Sequence, residues 1–284
     1  MDPIPFWKMS GSGNDFIVID NRGGRIGLAT LAGFTSRICR RKLSVGADGL
    51  ILVENAADAD FSWQFFNSDG SRAEMCGNGA RCAARYAYLN GIAPESLAFN
   101  TDVGQIQARI IGDRVRIQMT DPVDCRPERT IDLGRGVVKA ASINTGVPHV
   151  VVFVDDIDAV DVVALGREIR FHQDFAPAGT NANFIAPQPD GTVAIRTYER
   201  GVEDETLACG TGAVAAALIL ARTAARPSPV RLLTRSGGEL SVGFEMDQGH
   251  FQEVFLEGDA RVIYRGTMDA EAWHYSQPQD AIGP

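Results

Sequence analysis

Lysine is scarce in this chain of 284 residues, where it occurs only as Lys8, Lys42 and Lys139. An enzyme that uses pyridoxal phosphate needs a lysine for the Schiff base with that cofactor. None of the three lysines lies in a segment that would cradle a phosphate. The scarcity of lysine therefore counts against pyridoxal phosphate chemistry.

The chain also lacks a basic surface and a long apolar run. Its formal net charge is −9 at pH 7, whereas nucleic-acid binding needs clustered lysine and arginine. No apolar run is long enough to cross a membrane, and the first nine residues lack the charged start and apolar core of a secretory signal. We therefore expect no nucleic-acid partner, no membrane association and no secretion.

Signatures of disulfide frameworks, metal sites and dinucleotide folds are missing as well. The five cysteines are an odd number at irregular spacing, which favours a reduced, cytoplasmic compartment. There is no Cys-x-x-Cys or His-Glu-x-x-His motif and the four histidines are scattered, so we expect no metal. Gly11-Ser12-Gly13 lacks the third glycine of the dinucleotide fingerprint.

With 45% apolar residues, the chain can bury a full core in one large or two medium domains.

What the chain does contain is one pentad that occurs twice. The sequence Cys-Gly-x-Gly-Ala stands at 76–80 and again at 209–213, each time before a helix-like stretch. At a helix N-terminus, unpaired N–H groups and the helix dipole can lower a thiol pKa from about 8.5 to roughly 3.5–7.5. The glycines leave those N–H groups open to a carboxylate. The repeated pentad thus predicts two activated thiols at an anion-binding site, as a two-base proton-transfer enzyme needs.

The pentads belong to a longer internal repeat. Cys209 follows Cys76 by 133 residues, and Gly179 follows Gly46 by the same distance. We therefore predict two similar halves, each ordered strand–helix–strands–cysteine helix–strands, that face one cleft. The predicted halves are 1–121 and 122–261, with a strand and tail near 262–275 as a candidate addition to the first. Apolar residues recur at helical spacing over 28–42, which predicts a helix there. The Pro- and Asp-rich segment 121–135 is the predicted linker between the halves.

Other candidate residues have ordinary interpretations beside the functional ones. Cys39, Cys82 and Cys125 are interpreted as small buried apolar residues. The adjacent pair Glu199 and Arg200 is either a surface ion pair or a clamp for substrate, in which Glu199 holds an ammonium and Arg200 a carboxylate. His149 is either a hydrogen-bonded turn residue or the partner of a thiol whose pKa it tunes.

Seven short motifs, spread over nearly the whole chain, carry a family resemblance. They are Gly-Asn-Asp-Phe at 13–16, Asn-Ser-Asp-Gly-Ser at 67–71, Met-Cys-Gly-Asn-Gly-Ala-Arg-Cys at 75–82, Gly-Val-Pro-His at 146–149, Thr-Asn-Ala-Asn-Phe at 180–184, Tyr-Glu-Arg-Gly at 198–201 and Ala-Cys-Gly-Thr-Gly-Ala at 208–213. At these residues the chain resembles diaminopimelate epimerases. The resemblance implies two pseudo-symmetric α+β domains, each a mostly antiparallel sheet or barrel around a central helix, with the active site in the cleft between them.

The resemblance also implies an activity and a set of site residues. The implied enzyme is a cofactor-independent homodimer of lysine and peptidoglycan precursor synthesis, which interconverts LL- and meso-2,6-diaminopimelate. Cys76 and Cys209 would be the base and acid, and His149 and Glu199 would tune them. The implied substrate-binding residues are Asn14, Asn67, Gly77, Asn78, Asn181, Glu199, Arg200, Gly210 and Thr211.

Two positions depart from the family pattern and keep alternatives open. Gly49 stands where many members have Gln, and Val147 stands where many have Asn, so each loses a polar contact to substrate. One alternative is a related epimerase acting on another amino acid, such as proline or histidine. Others are a cysteine-free isomerase of similar fold, as in phenazine synthesis, and a thiol redox protein in which Cys76 and Cys209 form a switching disulfide.

Overall fold

The computed structural model describes residues 2–27 and 30–275. The chain divides into two compact units, which we call the first unit (described parts of 1–113 and 260–284) and the second unit (114–259). Within the described part of the chain, no helix has both the length and the apolarity needed to span a membrane.

The first unit is built from seven strands and two α-helices among its described residues, besides a short 3₁₀ helix at Ala270–Ala272. These are β1 (Ile4–Gly11), β2 (Asn14–Asp20), α1 (Leu31–Ile38), β3 (Gly49–Glu54), β4 (Phe61–Asn67), α2 (Gly77–Leu89), β5 (Ser96–Thr101), β6 (Gly104–Ile111) and, from the end of the chain, β17 (Arg261–Met268).

The second unit contains the strands and helices between β6 and β17. These are β7 (Arg114–Gln118), β8 (Val123–Asp132), β9 (Val137–Asn144), β10 (Pro148–Phe153), α3 (Val162–Arg170), β11 (Asn181–Pro187), β12 (Val193–Glu199), β13 (Asp204–Thr206), α4 (Gly210–Ala224), β14 (Val230–Leu233), β15 (Glu239–Asp247) and β16 (His250–Asp259).

Strand pairing repeats in the same order in both units. In the first unit, β1 pairs antiparallel with β2, β2 parallel with β3, β3 antiparallel with β4, β4 parallel with β5, and β5 antiparallel with β6. In the second unit, the series β9, β10, β11, β12, β14 and β15 pairs with the same alternation of directions. The predicted α+β fold with duplicated halves is confirmed.

Each unit extends this series at the strand that opens it. In the first unit β17 pairs antiparallel with β1, and in the second unit β8 pairs antiparallel with β9. The second unit also pairs β7 with β16. The long-range pairings of β7 and β17 have no signal in the local sequence pattern.

Each cysteine-bearing helix is buried among the strands of its own unit. α2 contacts β1, β2, β3, β4 and β6, and α4 contacts β8 to β12 and β14 to β16. Residues 212–221 of α4 are all buried, which agrees with its apolar and alanine-rich sequence, since a helix that is apolar on all sides is an interior helix. The small alanine side chains let the surrounding strands approach closely.

The outer helices cover the opposite faces of the sheets. In the first unit Leu31 and Ile38 of α1 pack with Ile17 and Leu50, and in the second unit α3 packs on Val150 and Tyr198 in the same manner. The inner strands are therefore buried on both faces. This explains why they appear in the sequence as continuous apolar runs and not as alternating ones.

Two element predictions need correction. The segment 121–135 is no linker, because most of it forms β8, which pairs with β9 in the second unit. The helix predicted over 28–42 is shorter, running from Leu31 to Ile38. Residues 28 and 29 of that prediction lie outside the described residues.

Candidate active site

Cys76 is the N-cap residue of α2. Its backbone is extended, with φ −147° and ψ 113°, and its Sγ accepts a hydrogen bond from the Gly79 N–H at 3.5 Å. The residue is partly buried. Because the first N–H groups of a helix lack partners within the helix, they and the helix dipole favour a negatively charged sulfur here.

Cys209 occupies the equivalent position in the second unit. It is the N-cap of α4, with φ −117° and ψ 112°, and only 8% of its surface is exposed. Its Sγ lies 3.5 Å from Thr211 Oγ1, while the Thr211 carbonyl accepts a hydrogen bond from Thr145 at 3.1 Å. Both predicted thiols thus have the same local setting, a helix N-cap followed by Gly-x-Gly.

Asn14 and Asn78 are in direct contact in the first unit. Asn78 Nδ2 donates to Asn14 Oδ1 at 2.6 Å, and Asn14 Nδ2 donates to Asp48 Oδ2 at 3.1 Å. Asn78 follows Gly77 in the first turn of the Cys76 helix, and only 4% of its surface is exposed. The structure therefore holds two predicted substrate-binding amides side by side at the start of α2.

A compact group of charges supports this contact. Arg41 donates to Asp15 at 2.9 Å and to Asp48 at 2.9 Å, and Lys8 lies 2.8 Å from Asp15. Burial raises the pKa of Asp15, but the hydrogen bonds from Arg41 and Lys8 outweigh it and bring the pKa to about 2. Asp15 is consequently ionised over the range in which most enzymes work.

Asn67 makes its side-chain hydrogen bond in a different segment, the turn after β4. It is exposed at the end of β4, and its Nδ2 donates to Ser71 Oγ at 3.0 Å within the turn that follows. Its neighbour across the sheet is Gly49. A Cβ at position 49 would lie 2.7 Å from both the Phe65 ring and the Phe66 carbonyl oxygen. The structure thus gives a reason for Gly49, because the ring occupies the space of any longer side chain.

His149 is fully enclosed in the second unit, with 1% exposure. Asn183 fixes its protonation pattern. Asn183 Oδ1 accepts from the Thr197 hydroxyl at 2.9 Å, so its Nδ2 donates to the Val150 carbonyl and to His149 Nδ1, at 2.9 and 3.1 Å. Nδ1 is therefore an acceptor, and the neutral ring carries its proton on Nε2. Among the described residues, Nε2 has no hydrogen-bond partner.

Burial of His149 makes stability depend on pH. Burial, reinforced by the charge of Arg200, lowers the pKa of His149 to about 3. In the unfolded chain the His149 imidazole binds a proton below about pH 6.5, and in the folded chain it binds one only near pH 3. The free energy of unfolding therefore decreases as pH falls from about 6.5 towards 3. We expect the wild type to lose about 2 kcal/mol more than His149→Gln between pH 7 and pH 5, measured by urea unfolding. Parallel stability curves for the two proteins would contradict the neutral, buried imidazole.

Asn181, Glu199 and Arg200 form a further polar group, which lies in the second unit. Asn181 Oδ1 accepts from the Arg200 backbone N–H at 2.8 Å, and its Nδ2 donates to the Pro148 carbonyl at 3.0 Å. The Arg200 guanidinium donates to the Ala178 carbonyl at 3.2 Å. Burial raises the pKa of Glu199. The side chain of Asn181 therefore ties the start of β10 to the end of β12, where Glu199 and Arg200 stand.

The structure brings together some predicted residues and adds others. In the first unit, Gly77 and Asn78 continue from Cys76, and Asn78 contacts Asn14, while Asn67 bonds within a separate turn. In the second unit, Gly210 and Thr211 continue from Cys209. The supporting residues that sequence reasoning missed are Asp48, Arg81, Asn183 and Thr197. Asn183 had a signal, because it lies two residues after Asn181 on one strand and so shares its face.

Each unit thus presents a thiol, a row of helical N–H groups and neutral amide donors. Such groups bind a carboxylate and stabilise charge that develops on it. The thiol supplies a site for accepting or delivering a proton. Within either unit, the arrangement is suited to proton transfer next to a bound carboxylate.

Comparisons with known proteins identify related chains. The family model described as diaminopimelate epimerase matches residues 6–124 and 141–263. A diaminopimelate epimerase of Aquifex aeolicus is 46% identical, with 96% of this chain and 100% of that protein covered. One from Methanocella arvoryzae is 38% identical, with 95% and 99% covered.

Solved structures with the same fold are more distant in sequence. A phenazine biosynthesis protein of the PhzF family from Bacillus anthracis superposes with a TM-score of 0.74 at 14% identity, covering 94% of this chain and 99% of that one. A hydroxyproline epimerase from Agrobacterium vitis gives a TM-score of 0.65 at 16% identity, covering 97% and 96%. At these identities, the similarity to the two structures shows the fold and nothing further.

Proposed function

The chain belongs to the diaminopimelate epimerase family, and from that premise we propose that it interconverts LL- and meso-2,6-diaminopimelate by inverting one α-carbon. The observation that carries the proposal is the duplicated helix start. Each unit has a cysteine at the N-cap of a buried helix, followed by Gly-x-Gly. An enzyme that must act on both faces of one carbon needs two such groups.

The proposed chemistry is a two-base proton transfer. One cysteine thiolate removes the α-proton, so a C–H bond breaks, an S–H bond forms and the electron pair remains on the carbon and its carboxylate. The other cysteine thiol gives its proton to the opposite face, so its S–H bond breaks and a new C–H bond forms. Cys76 and Cys209 exchange these roles in the reverse reaction, and no redox step is involved.

The reacting carboxylate is the group that must be stabilised most strongly. An amino-acid α-hydrogen is a poor acid, and negative charge spreads onto the carboxylate as the proton leaves. In the proposal, Gly77 and Asn78 bind it from one helix, and Gly210 and Thr211 from the other. Fixed N–H dipoles aimed at this developing charge lower the barrier without the reorganisation that water requires.

The remaining proposed residues recognise the rest of the substrate. Arg200 is suited to a carboxylate because its guanidinium binds two oxygens at once, and Glu199 is suited to an ammonium. The amides of Asn14, Asn67 and Asn181 complete the proposed set. His149 and Glu199 tune the thiols, and the neutral state of His149 indicates a hydrogen-bonding role instead of a charge. Buried polar groups of this kind discriminate against analogues that leave them unpaired.

The function is tested by isotope incorporation. Incubation with LL-diaminopimelate in deuterated water, without added cofactor, is expected to give the meso form with one deuterium at one α-carbon, detected by NMR and mass spectrometry. Proline, hydroxyproline and histidine form the comparison panel. Efficient turnover of one of these with inert diaminopimelate would assign the chain to a different substrate.

The organisation of the enzyme is part of the proposal. In the proposal, the halves predicted at 1–121 and 122–261 supply one cysteine helix each to the reaction, and the protein acts in the cytoplasm as a homodimer. The family resemblance implies the homodimer, and the odd number and irregular spacing of the cysteines favour the cytoplasm. Sedimentation equilibrium in reducing buffer is expected to give twice the chain mass of 30.5 kDa, and a monomer with full activity would remove the dimer from the scheme.

A further inference from the structure

Arg81 is a fully buried arginine next to the predicted site. It lies on α2, five residues after Cys76, and none of its surface is exposed. Its guanidinium donates to Asn78 Oδ1 and to Ser12 Oγ, both at 2.8 Å, and to the Gly77 carbonyl at 3.4 Å. Burying a charge is costly unless it is well hydrogen-bonded, so a residue of this kind calls for a specific role.

The bond from Arg81 decides which way the Asn78 amide faces. A guanidinium has donors only, so the atom of Asn78 that meets it must be the oxygen. The amide nitrogen is then directed to Asn14 Oδ1 at 2.6 Å, and this contact in turn directs Asn14 Nδ2 to Asp48 Oδ2 at 3.1 Å. Every bond in this series has one allowed direction, from Arg81 through Asn78 and Asn14 to Asp48.

The carboxylate end of the series is held as firmly as the cation end. Asp48 also accepts from the backbone N–H of Asp15 at 3.1 Å and from Arg41 at 2.9 Å. A cation at one end and a carboxylate at the other polarise the two amides in the same sense, which strengthens each bond in the chain. Neither amide can rotate by 180° without setting donor against donor.

The series determines what the two amides can offer a ligand. The oxygens of Asn78 and Asn14 both accept hydrogen bonds inside the series, and each nitrogen uses one of its two hydrogens there. The second N–H of each amide is left as a donor to substrate. N–H donors match a carboxylate, which only accepts, and they do not match an ammonium.

We propose that Arg81 is a positioning residue, which acts through Asn78 and Asn14 to present both amides as donors to a substrate carboxylate. This assignment rests on the proposed function. It differs from a purely structural role in one respect: loss of Arg81 should alter the direction of the amides and the affinity for substrate, in addition to stability.

The experiment compares two arginines of the same helix. Arg81→Met removes the donor to Asn78, and the matched control Arg85→Met removes a partly buried arginine whose bond goes to the Ala260 carbonyl at 2.6 Å. We expect Arg81→Met to raise KM for diaminopimelate about tenfold or more, since hydrogen bonds to charged groups are among the stronger ones. Arg81→Lys, which keeps one charged donor, is expected to recover most of the loss, and Arg85→Met to stay within twofold of wild type.

A second readout is independent of catalysis. In protein labelled with ¹⁵N-asparagine, the side-chain N–H groups of Asn78 and Asn14 are expected to exchange slowly with water, and faster in Arg81→Met but not in Arg85→Met. If Arg81→Met does not fold, Asp48→Asn tests the other end, with an expected rise in KM of about fivefold. Unchanged amide exchange together with KM values equal to the control would overturn the role of Arg81. A wild type inert towards diaminopimelate would refute the function, and the exchange measurement would still decide the positioning role.

Discussion

Replacement of Cys76 or Cys209 by alanine is expected to reduce epimerisation by about 10²- to 10⁴-fold or more, since positioned general acids and bases contribute effects of this size. In the proposed scheme each thiol serves one face of the α-carbon, so neither can replace the other in an inversion. The measurement is kcat for conversion of LL-diaminopimelate to the meso form, followed by chiral chromatography, with circular dichroism to confirm folding.

Cys125→Ala is the matched control for these variants. Burial raises the pKa of the Cys125 thiol, so this sulfur is neutral at the working pH and is expected to leave kcat unchanged. The two-thiol scheme adds a sharper expectation, because a variant with a single remaining thiol can still exchange the α-hydrogen that faces it. Exchange of deuterium into one stereoisomer without inversion is therefore expected, and inversion at the wild-type rate by either alanine variant would rule out the scheme.

The duplicated fold was predictable because the repeat is visible at fixed spacing. Cys76 and Cys209 both proved to be N-caps, and six strands of each unit pair in the same order. The local sequence pattern predicts such elements because each is set by its own apolar spacing and turn residues. Pairing between distant segments has no such signal, which is why the sequence did not reveal that β17 pairs with β1.

The strand β8 shows why one element was missed. Its residues are mostly exposed and include Pro127, and its register with β9 shifts near Arg126. Charged residues, proline and irregular register are typical of edge strands, where they discourage pairing with other chains. The same features in a sequence indicate a linker, so the two possibilities could be separated only by the structure.

The residues at the two helix starts of the candidate site were predictable from the sequence. The side chains that hold them in place were less so. Asn14 and Asn78 were predicted as separate ligands, but their contact depends on how β2 packs against α2. Arg81 lies in the motif at 75–82, and only its complete burial and its bond to Asn78 identify it as a supporting residue. Side chains that act through other side chains are found from tertiary contacts, which spacing along the chain does not encode.

The second glycines of the two pentads, Gly79 and Gly212, have different surroundings, and this difference gives the second large expected effect. Gly212→Ala is expected to destabilise the protein by about 3 kcal/mol, in the range of overpacking combined with a disrupted buried amide. A Cβ at position 212 would lie 2.3 Å from Asn183 Oδ1. Asn183 cannot move aside without cost, because it is fully buried and bonded to Thr197, Val150 and His149.

Gly79→Ala is the matched control, since it changes the same position of the other pentad. A Cβ there would meet Ile51 and Trp63 at 3.4 Å and Cys76 at 3.5 Å, which are ordinary contacts, and alanine favours a helix over glycine by up to about 1 kcal/mol. Thermal unfolding is expected to show Gly79→Ala at or above the wild-type Tm and Gly212→Ala roughly 5–10 °C below it. Activity of Gly212→Ala should fall as well, because displacement of Asn183 removes the bond that fixes the His149 ring. Equal behaviour of the two variants would mean that the duplicated helix starts have equivalent surroundings, and that Asn183 does not set the position of His149.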